Sequence, residues 1–244
     1  MDFAHIKMRI ANKDRGTFRA EANTIWLYDA IAWNDEESQF FGGVPPSRFI
    51  AQLEAMTGDV TLRINSPGGS VWGAQAMVAA IRQHSGRITA QVDSLAASAA
   101  SVLAVSCAEC RMVPGSMMMV HKAWGVTFGN ADDMRDTAAL LDKTDGQIAT
   151  AYAAKSGGDV DAMLALMAAE TWMTADEAVA MKFADGLADK NTQAKALWDL
   201  SVYAKAPVLG GDKKLEEKPE EFDAESEREA RMRRAEALIR SNPI

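Results

Sequence analysis

The amino-acid sequence predicts an α/β fold in which strands and helices alternate and most strands pair in parallel. Two segments rich in β-branched residues, VTLRINS (60–66) and RITAQVDS (87–94), are each followed by a segment with helical periodicity. A turn of small residues separates each strand from its helix, and this repeated order is typical of parallel sheets. The composition, with 48% hydrophobic and 25% charged residues, is sufficient for an ordinary globular core.

The regular structure is predicted to begin with a strand, a loop and a helix. The segment TIWLYDAIAW, from Thr24 onward, is rich in aromatic and β-branched residues and predicts a strand. The following segment, NDEESQFFGGVPP, breaks that pattern and predicts a loop. Pro46 and Ser47 then open a predicted helix, SRFIAQLEAM, which ends at Thr57-Gly58-Asp59.

Two strand–turn–helix units follow directly. The first strand runs into Pro67-Gly68-Gly69, after which VWGAQAMVAAIRQH predicts a helix that ends near Gly86. The second strand precedes an alanine-rich helix, AASAASVLAVSCA, and then RMVPGSMMMVHKA, which predicts strand structure around a turn. The two strand-to-helix turns are therefore expected to lie close together at one edge of the sheet.

A long helix is predicted from Asn130 to Lys155, because apolar residues recur about once per helical turn. These residues are Met134, Ala138, Leu141, Ile148 and Tyr152. Two shorter helices, VDAMLALMAA and TADEAVAMKFA, follow it. Thr174 and Glu177 form a capping-box pattern at the start of the second, which supports a helix there.

The composition changes after about Ala206, where a polar linker with Gly210, Gly211 and Pro219 begins. The later segment DAESEREARMRRAEALIR can form a helix through charge pairs four residues apart, but it has little apolar face. We therefore predict one folded domain over residues 1–205 and a charged appendage, helical or disordered, over residues 206–244.

The charge pattern argues against several classes of function. Asp and Glu outnumber Lys and Arg by 34 to 26, and no basic stripe marks a site for nucleic acid or anionic lipid. No stretch approaches the roughly 18 to 20 apolar residues of a membrane helix. The N-terminal segment also lacks the apolar core of a secretory signal. A cytoplasmic protein is expected.

The two cysteines, Cys107 and Cys110, form a lone C-x-x-C sequence. A structural zinc site needs about two further ligands, and no second cysteine or histidine pair has suitable spacing. We expect two small buried thiols in a reducing compartment, and neither a metal nor a cofactor.

One serine and one histidine are candidates for amide hydrolysis, which requires a nucleophile and a base. Ser98 lies in SLAASAAS, where small residues allow a strand to turn sharply into a helix. His121 follows the apolar strand MMMV, whereas His5 and His84 lie in polar segments that are expected to be exposed. A polar cap at Ser98 and a structural role for His121 are the alternatives that these residues leave open by themselves.

Two backbone amides are candidates for binding an oxyanion. The turn Pro67-Gly68-Gly69 carries no side chains that would obstruct its amides, although most such turns are only turns. The amide of Ala99 lies at the predicted helix N-terminus after Ser98 and points where negative charge would form.

Four segments in order resemble the signature segments of ClpP peptidases: INSPGGSV, SLAASAAS, MMMVHKAWG and ETWMTADEAVAMKFADGL. The resemblance implies the ClpP/crotonase-like spiral of β-β-α units, with the long helix as a protruding handle that interlocks two rings. It further implies a serine endopeptidase that needs no cofactor. Ser98 is then the nucleophile, His121 the general base, and Gly69 and Ala99 the oxyanion hole.

The third catalytic position departs from the family's pattern. The family has an aspartate just ahead of the capping-box helix, where this sequence has Glu170 in ETWMTADEA. Glutamate is one methylene longer, but it serves as the orienting acid in some hydrolase triads. A solvated Glu170 is the alternative, with Asp145, Asp161 and Asp176 as weaker substitutes for the acid.

The combination of LAASAAS, ETWMTA, FADGL and the charged tail looks most like ClpP-related head-maturation proteases of tailed phages and prophages. That resemblance implies cleavage of scaffold and capsid proteins in the host cytoplasm or inside a procapsid. Resemblance to the cellular members implies instead an AAA+ unfoldase partner that feeds unfolded chains into two stacked rings. Both imply protein or peptide substrates and homo-oligomeric rings.

Two further hypotheses come from other classes of protein. The same spiral fold is used by crotonases, which bind acyl-CoA, but the serine and histidine here match peptidase positions and no basic nucleotide site is evident. The chain is alternatively a scaffold or capsid-interaction protein with weak or no catalysis, in which the tail binds the partner.

Overall fold

The structure, a computed structural model, describes residues 10–13, 15–189 and 198–207. Within these residues strands and helices alternate along most of the chain, as the α/β prediction requires. The strands are β1 (Thr17–Glu21), β2 (Thr24–Tyr28), β3 (Val60–Ser66), β4 (Ile88–Ala97), β5 (Glu109–Met112), β6 (Met117–Val120), β7 (Thr171–Thr174) and β8 (Gly186–Leu187). The helices are α1 (Asp35–Phe41), α2 (Pro46–Glu54), α3 (Val71–Gln83), α4 (Ala99–Ser106), α5 (Ala131–Ser156), α6 (Val160–Ala168) and α7 (Ala175–Ala180).

The strands form one mixed sheet in which β4 is the branch point. The main path runs β1-β2-β3-β4-β5-β8, and every pair along it after β1-β2 is parallel. The first half of β4, from Thr89, pairs with β5, and its second half, from Leu95, pairs with β6. Strand β6 in turn pairs with β7 in antiparallel fashion. The α/β fold class with largely parallel pairing is therefore confirmed.

Strand β4 is longer than its sequence predicts. We expected the strand to end at Ser94 and a helix to begin at Ala96. In the structure Ala96 and Ala97 still belong to the strand, because they pair with Met118 and Met119 of β6. Helix α4 consequently begins at Ala99. Helix propensity of alanine is a weak local preference, and pairing with a neighbouring strand outweighs it here.

Four elements, β1, β7, β8 and α1, were absent from the sequence prediction. Strand β1 pairs with β2 in a hairpin, and the short strand β7 forms only through its pairing with β6. Helix α1 occupies a segment predicted to be a loop. The Asn34 side chain accepts a hydrogen bond from the Glu37 amide, and three acidic residues in the first turn stabilise the helix N-terminus.

The core lies between the sheet and helices α3, α4 and α5. Helix α4 is the most enclosed, with seven of its residues buried: Ala99, Ala100, Ser101, Val102, Leu103, Ala104 and Val105. Helix α5 is exposed in its first half and partly buried in its second half. Its first ten residues are almost all exposed, whereas its second half buries Ile148, Ala149 and Tyr152 against the core. The first half of α5 therefore forms the protruding handle expected from the fold.

Cys107 and Cys110 are both buried free thiols. Burial raises the pKa of both groups, that of Cys110 to about 12, so both remain protonated at neutral pH.

None of the helices in the described parts of the chain is long and apolar enough to cross a membrane. Apart from residues 206 and 207, the predicted tail lies outside the described residues, and both its structure and the domain boundary stay predictions.

Candidate active site

The pairing of three strand ends brings the candidate catalytic residues together. Ser98 follows the last residue of β4, which pairs with Met119 of β6, and His121 follows the last residue of β6. That last residue, Val120, pairs with Thr171 at the start of β7, and Glu170 directly precedes β7. The sheet register alone therefore places Ser98, His121 and Glu170 at one edge.

Ser98 lies in a sharp turn between β4 and α4. Its backbone has φ 54° and ψ −125°, a conformation that non-glycine residues rarely adopt. The turn is held by a hydrogen bond from the Ser98 amide to the Met119 carbonyl oxygen (2.9 Å) and by one from the Ser101 hydroxyl to the Ser98 carbonyl oxygen (2.6 Å). Strained backbone of this kind is common at nucleophiles that follow a strand and precede a helix.

His121 contacts the Ser98 side chain directly. The distance from Ser98 Oγ to His121 Nε2 is 2.7 Å, within the range for a serine that passes its proton to a base. Burial lowers the pKa of His121 to about 4, and the negative charge of Glu170 opposes this effect. The imidazole is therefore neutral at pH 7 and able to accept a proton.

Glu170 lies beside this pair but is bonded elsewhere. Its carboxylate accepts hydrogen bonds from the amides of Ala204 (3.0 Å) and Lys205 (2.6 Å) and from the Trp172 ring nitrogen (3.2 Å). No hydrogen bond between Glu170 and His121 occurs among the described residues. Glu170 acts on the imidazole through its charge, and its role as third catalytic residue stays a prediction.

The weaker substitutes for this acid lie in other environments. Asp145 is buried in α5 and accepts a hydrogen bond from the Ala123 amide (2.7 Å), two residues after His121. It lies 3.6 Å from the Lys122 ammonium group. Asp161 and Asp176 are exposed in the first turns of α6 and α7. Of the four acids, only Glu170 contributes to the pKa of His121.

The turn that carries the first candidate oxyanion amide packs against Ser98. A Cβ added at Gly68, which has φ +92°, would lie 2.8 Å from Ser98 Cβ and 2.6 Å from the Ala97 carbonyl oxygen. A Cβ at Gly69, which has φ +138°, would lie 2.2 Å from the Ile31 carbonyl oxygen. Glycine is thus required at both positions. The N–H groups of Gly69 and Ala99 donate no hydrogen bond within the described residues, so both are available to an oxyanion.

A groove of about 560 Å³ opens beside Ser98, His121 and Gly69. Large apolar side chains dominate its lining and include Trp33, Phe41, Val71, Trp72, Trp124, Val126, Leu140 and Leu141. Several of these residues are unusually exposed for their size, with Trp33 60% and Trp72 47% accessible. An apolar groove with a few polar groups is typical of a ligand-binding site.

Some residues at the site were not predicted from the sequence. Ser101 was not among the predicted site residues, yet its hydroxyl holds the Ser98 turn and also bonds the buried Tyr152 hydroxyl (2.8 Å). Tyr203 and Trp172 were not considered, although the Tyr203 ring packs against both His121 and Trp172. The spacing of Ser101, one helical turn after Ser98, is the signal that could have identified it; Tyr203 carries no local signal.

The remaining histidines lie apart from these residues in the chain. His84 ends α3, and its ring nitrogen bonds the Gly58 carbonyl oxygen (2.8 Å). His5 lies outside the described residues.

Comparisons with a protein-family model and with individual proteins indicate the same kind of protein. The family model described as Clp protease matches residues 46–191. The chain is 34% identical over 122 residues to an ATP-dependent Clp protease proteolytic subunit of Bacteroides fragilis, which covers 49% of this chain and 59% of that protein. It is 35% identical over 128 residues to the ATP-dependent Clp protease proteolytic subunit 1 of Chlamydia abortus, covering 51% and 67%. It is 32% identical over 151 residues to an ATP-dependent Clp protease proteolytic subunit of Streptococcus gordonii. The matched residues are 58% of this chain and 77% of that protein.

The matched segment includes Gly69, Ser98, Ala99, His121 and Glu170. The chain spans less than two thirds of the length of the Bacteroides fragilis protein that it matches.

The protonation of His121 is directly testable. Because burial lowers its pKa to about 4, the His121 ring protons should show no titration between pH 8 and pH 5.5 by NMR. Histidine ring signals can be assigned by their loss in His121→Gln, with His84→Gln as the matched control. A His121 signal that titrates near the ordinary value of about 6.5 would contradict the buried, neutral imidazole.

Proposed function

Because the chain belongs to the Clp protease family, we propose that it is a serine endopeptidase with Ser98 as nucleophile and His121 as general base. The observation that carries this proposal is the 2.7 Å contact between Ser98 Oγ and a neutral His121 imidazole at a strained strand-to-helix turn. A serine that only capped the helix would need neither a strained backbone nor a buried, uncharged histidine beside it.

In the first step, His121 Nε2 takes the proton of Ser98 Oγ as the oxygen attacks the carbonyl carbon of the substrate. The N–H groups of Gly69 and Ala99 donate to the carbonyl oxygen, which becomes negatively charged. The imidazolium then gives its proton to the leaving amine, and an acyl group remains on Ser98. A water molecule, deprotonated by His121, hydrolyses this ester and regenerates the free serine.

Glu170 contributes to these steps through its charge. A carboxylate near the imidazole stabilises the imidazolium that exists after each proton transfer, because opposite charges attract more strongly in a buried site. The three donors that hold its oxygens fix the Glu170 carboxylate in place. The acid therefore lowers the energy of the charged intermediate without bonding the histidine in the free enzyme.

The substrate is a polypeptide in an extended conformation, and the apolar groove beside Ser98 binds its side chains. More specifically, we propose that the substrates are scaffold and capsid proteins, which the enzyme cleaves during phage head maturation. The support for this role is the resemblance of LAASAAS, ETWMTA, FADGL and the charged tail to the head-maturation proteases.

Protein turnover with an ATP-driven unfoldase is a second candidate function, favoured by the names of the curated relatives, which are ATP-dependent proteolytic subunits. The two roles differ in what they require of the substrate. Cleavage of an unstructured scaffold protein without ATP would support head maturation. Cleavage of a stably folded protein only with ATP and an unfoldase would support turnover.

We also propose that the chain assembles into homo-oligomeric rings. Met134 and Leu140, on the exposed half of α5, are 43% and 49% accessible, and Phe128 in the preceding loop is 66% accessible. Among the described residues, no atom outside the helix's own backbone lies within 4 Å of a Cβ added at Gly146, so close approach of another helix is sterically allowed there. Exposed apolar surface of this kind commonly marks an interface between subunits.

Substitution of Ser98 by alanine should abolish peptidase activity and leave folding intact, because only one hydroxyl is removed. The expected loss is several orders of magnitude in kcat, about 10⁴-fold or more. Hydrolysis of a fluorogenic peptide and labelling by a fluorophosphonate probe provide two independent measurements. Ser94→Ala, a change of the same size on β4, is the matched control and should be active.

His121→Ala should also prevent labelling of Ser98, because the probe reacts only with an activated serine. If neither the wild-type protein nor the Ser94→Ala control is labelled in assembled preparations, the scaffold hypothesis is favoured. Turnover of an acyl-CoA thioester instead of a peptide would favour the crotonase hypothesis.

Glu170→Gln should lower kcat by about 10²-fold, less than the roughly 10⁴-fold loss when an acid bonded to the histidine is removed. Gln keeps the length of the side chain, but its single oxygen can accept from only one of the Ala204 and Lys205 amides, so retention of the fold is checked by circular dichroism. Because the charge of Glu170 raises the pKa of His121, its removal should shift the acid limb of kcat/KM to lower pH.

Glu170→Asp keeps the charge but shortens the side chain, and it should cause a smaller loss than Glu170→Gln. Full activity of Glu170→Gln with an unchanged pH profile would mean that the site is a serine–histidine dyad or uses another acid.

The wild-type chain should sediment as a homo-oligomer at micromolar concentration, measured by analytical ultracentrifugation. Met134→Glu places a charge on the exposed half of α5 and should shift the protein to smaller species, because a buried unpaired charge destabilises an interface. Arg135→Glu, at an exposed neighbouring position, controls for added negative charge. An active preparation with the 26.3 kDa mass of one chain would contradict ring assembly.

A further inference from the structure

A segment close to the predicted domain boundary crosses the candidate active site. Residues 198–206, called the strap from here on, are anchored at their start by two polar contacts. The Trp198 ring nitrogen donates to the Asn65 side-chain oxygen (2.9 Å) at the end of β3. The Asp199 backbone exchanges two hydrogen bonds with the side chain of Asn12 (2.8 and 2.9 Å). The strap is thereby tied to the folded domain before it reaches Ser98 and His121.

Tyr203 is the central residue of the strap and is only 4% exposed. Its ring meets the His121 ring edge-on, with 5.3 Å between the ring centres, and the Trp172 ring at 5.9 Å. Its hydroxyl donates to the Pro67 carbonyl oxygen (2.6 Å), in the turn that carries Gly69, and lies beside the Ser98 side chain. One side chain therefore contacts the base, the nucleophile and the oxyanion turn.

The two residues after Tyr203 hold the acid. The amides of Ala204 and Lys205 donate to the two oxygens of the Glu170 carboxylate, and the Lys205 ammonium group bonds the carbonyl oxygen of Ala169. Glu170 itself has φ 48°, so its backbone conformation is unfavourable and needs support from its surroundings. The strap supplies three of the contacts around this strained residue.

We propose that the strap is a positioning element of the active site, in which Tyr203 fixes the His121 ring and the amides of Ala204 and Lys205 fix the Glu170 carboxylate. This inference rests on the proposed peptidase function. It adds a requirement beyond Ser98, His121 and Glu170. A segment that follows the residues matched by the family model completes the site.

The geometry favours positioning over obstruction. The groove beside Ser98 is lined by residues of the segments around β3, β4 and β6 and of α1, α3 and α5, and by none of the strap. The hydrogen bond between Ser98 Oγ and His121 Nε2 is formed with the strap in place. The strap thus packs against His121 and Glu170 and leaves the groove open.

Tyr203→Ala should lower kcat by about 10²-fold with KM changed less than about twofold, because misplaced catalytic groups slow the chemical step while the groove is intact. Since burial is the main cause of the low pKa of His121, loss of the Tyr203 ring should also raise that pKa and move the acid limb of kcat/KM to higher pH. This shift is opposite to the one expected for Glu170→Gln. A role for Tyr203 in stability alone would not move the pH profile.

Tyr203→Phe keeps the ring contact and should retain kcat within about tenfold of wild type and an unchanged acid limb. Ser201→Ala, at an exposed position of the same strap, is the matched control and should match wild type. If Tyr203→Ala unfolds below the assay temperature, Tyr203→Leu should show a similar loss in kcat with a smaller shift of the acid limb, since it keeps much of the burial of His121 but lacks the ring.

The outcomes separate this inference from the proposed function. Absence of hydrolysis and of Ser98 labelling in wild-type protein would overturn both. An active wild type with an equally active Tyr203→Ala variant would overturn the positioning role alone. Faster hydrolysis by Tyr203→Ala would mean that the strap obstructs the site, which also contradicts the proposal.

Discussion

The turn at Ser98 is the constraint on which the rest of the site depends. Strand β4 passes into helix α4 through a single residue with positive φ, so the chain reverses from extended to helical without a loop. Only small side chains fit around such a turn, and Ala97, Ala99 and Ala100 are almost fully buried there. Gly68 is needed for the same reason, because the neighbouring turn lies against Ser98 with no room for a Cβ.

The branching of the sheet at β4 places the other groups around this turn. The second half of β4 leaves β5 and pairs with β6, so the end of β6 delivers His121 to the Ser98 hydroxyl. The antiparallel pairing of β6 with β7 then sets Glu170 at the same edge of the sheet as His121. Burial by these elements keeps His121 neutral, which a general base at neutral pH requires.

Glu170 links the site to a segment that is remote in sequence. Its carboxylate lies between the imidazole, on which its charge acts, and the two strap amides that it accepts from. The same strap places the Tyr203 ring beside His121, so Glu170 and His121 are both held by one segment.

Local sequence was sufficient for the fold class, the turn after β3, the long helix α5, and the choice of Ser98 and His121 as a pair to be tested. Those features depend on periodicity, glycine and capping residues, and on motifs whose chemistry lies in a few adjacent residues. The length of β4, the existence of β7 and the place of Tyr203 depended on tertiary structure, because each is determined by a partner distant in the chain. Tyr203 and Pro67, for example, are joined by a hydrogen bond across 136 positions. Pairing and burial between such distant segments leave no periodic pattern in the sequence, and only the folded chain brings the strap to Ser98 and His121.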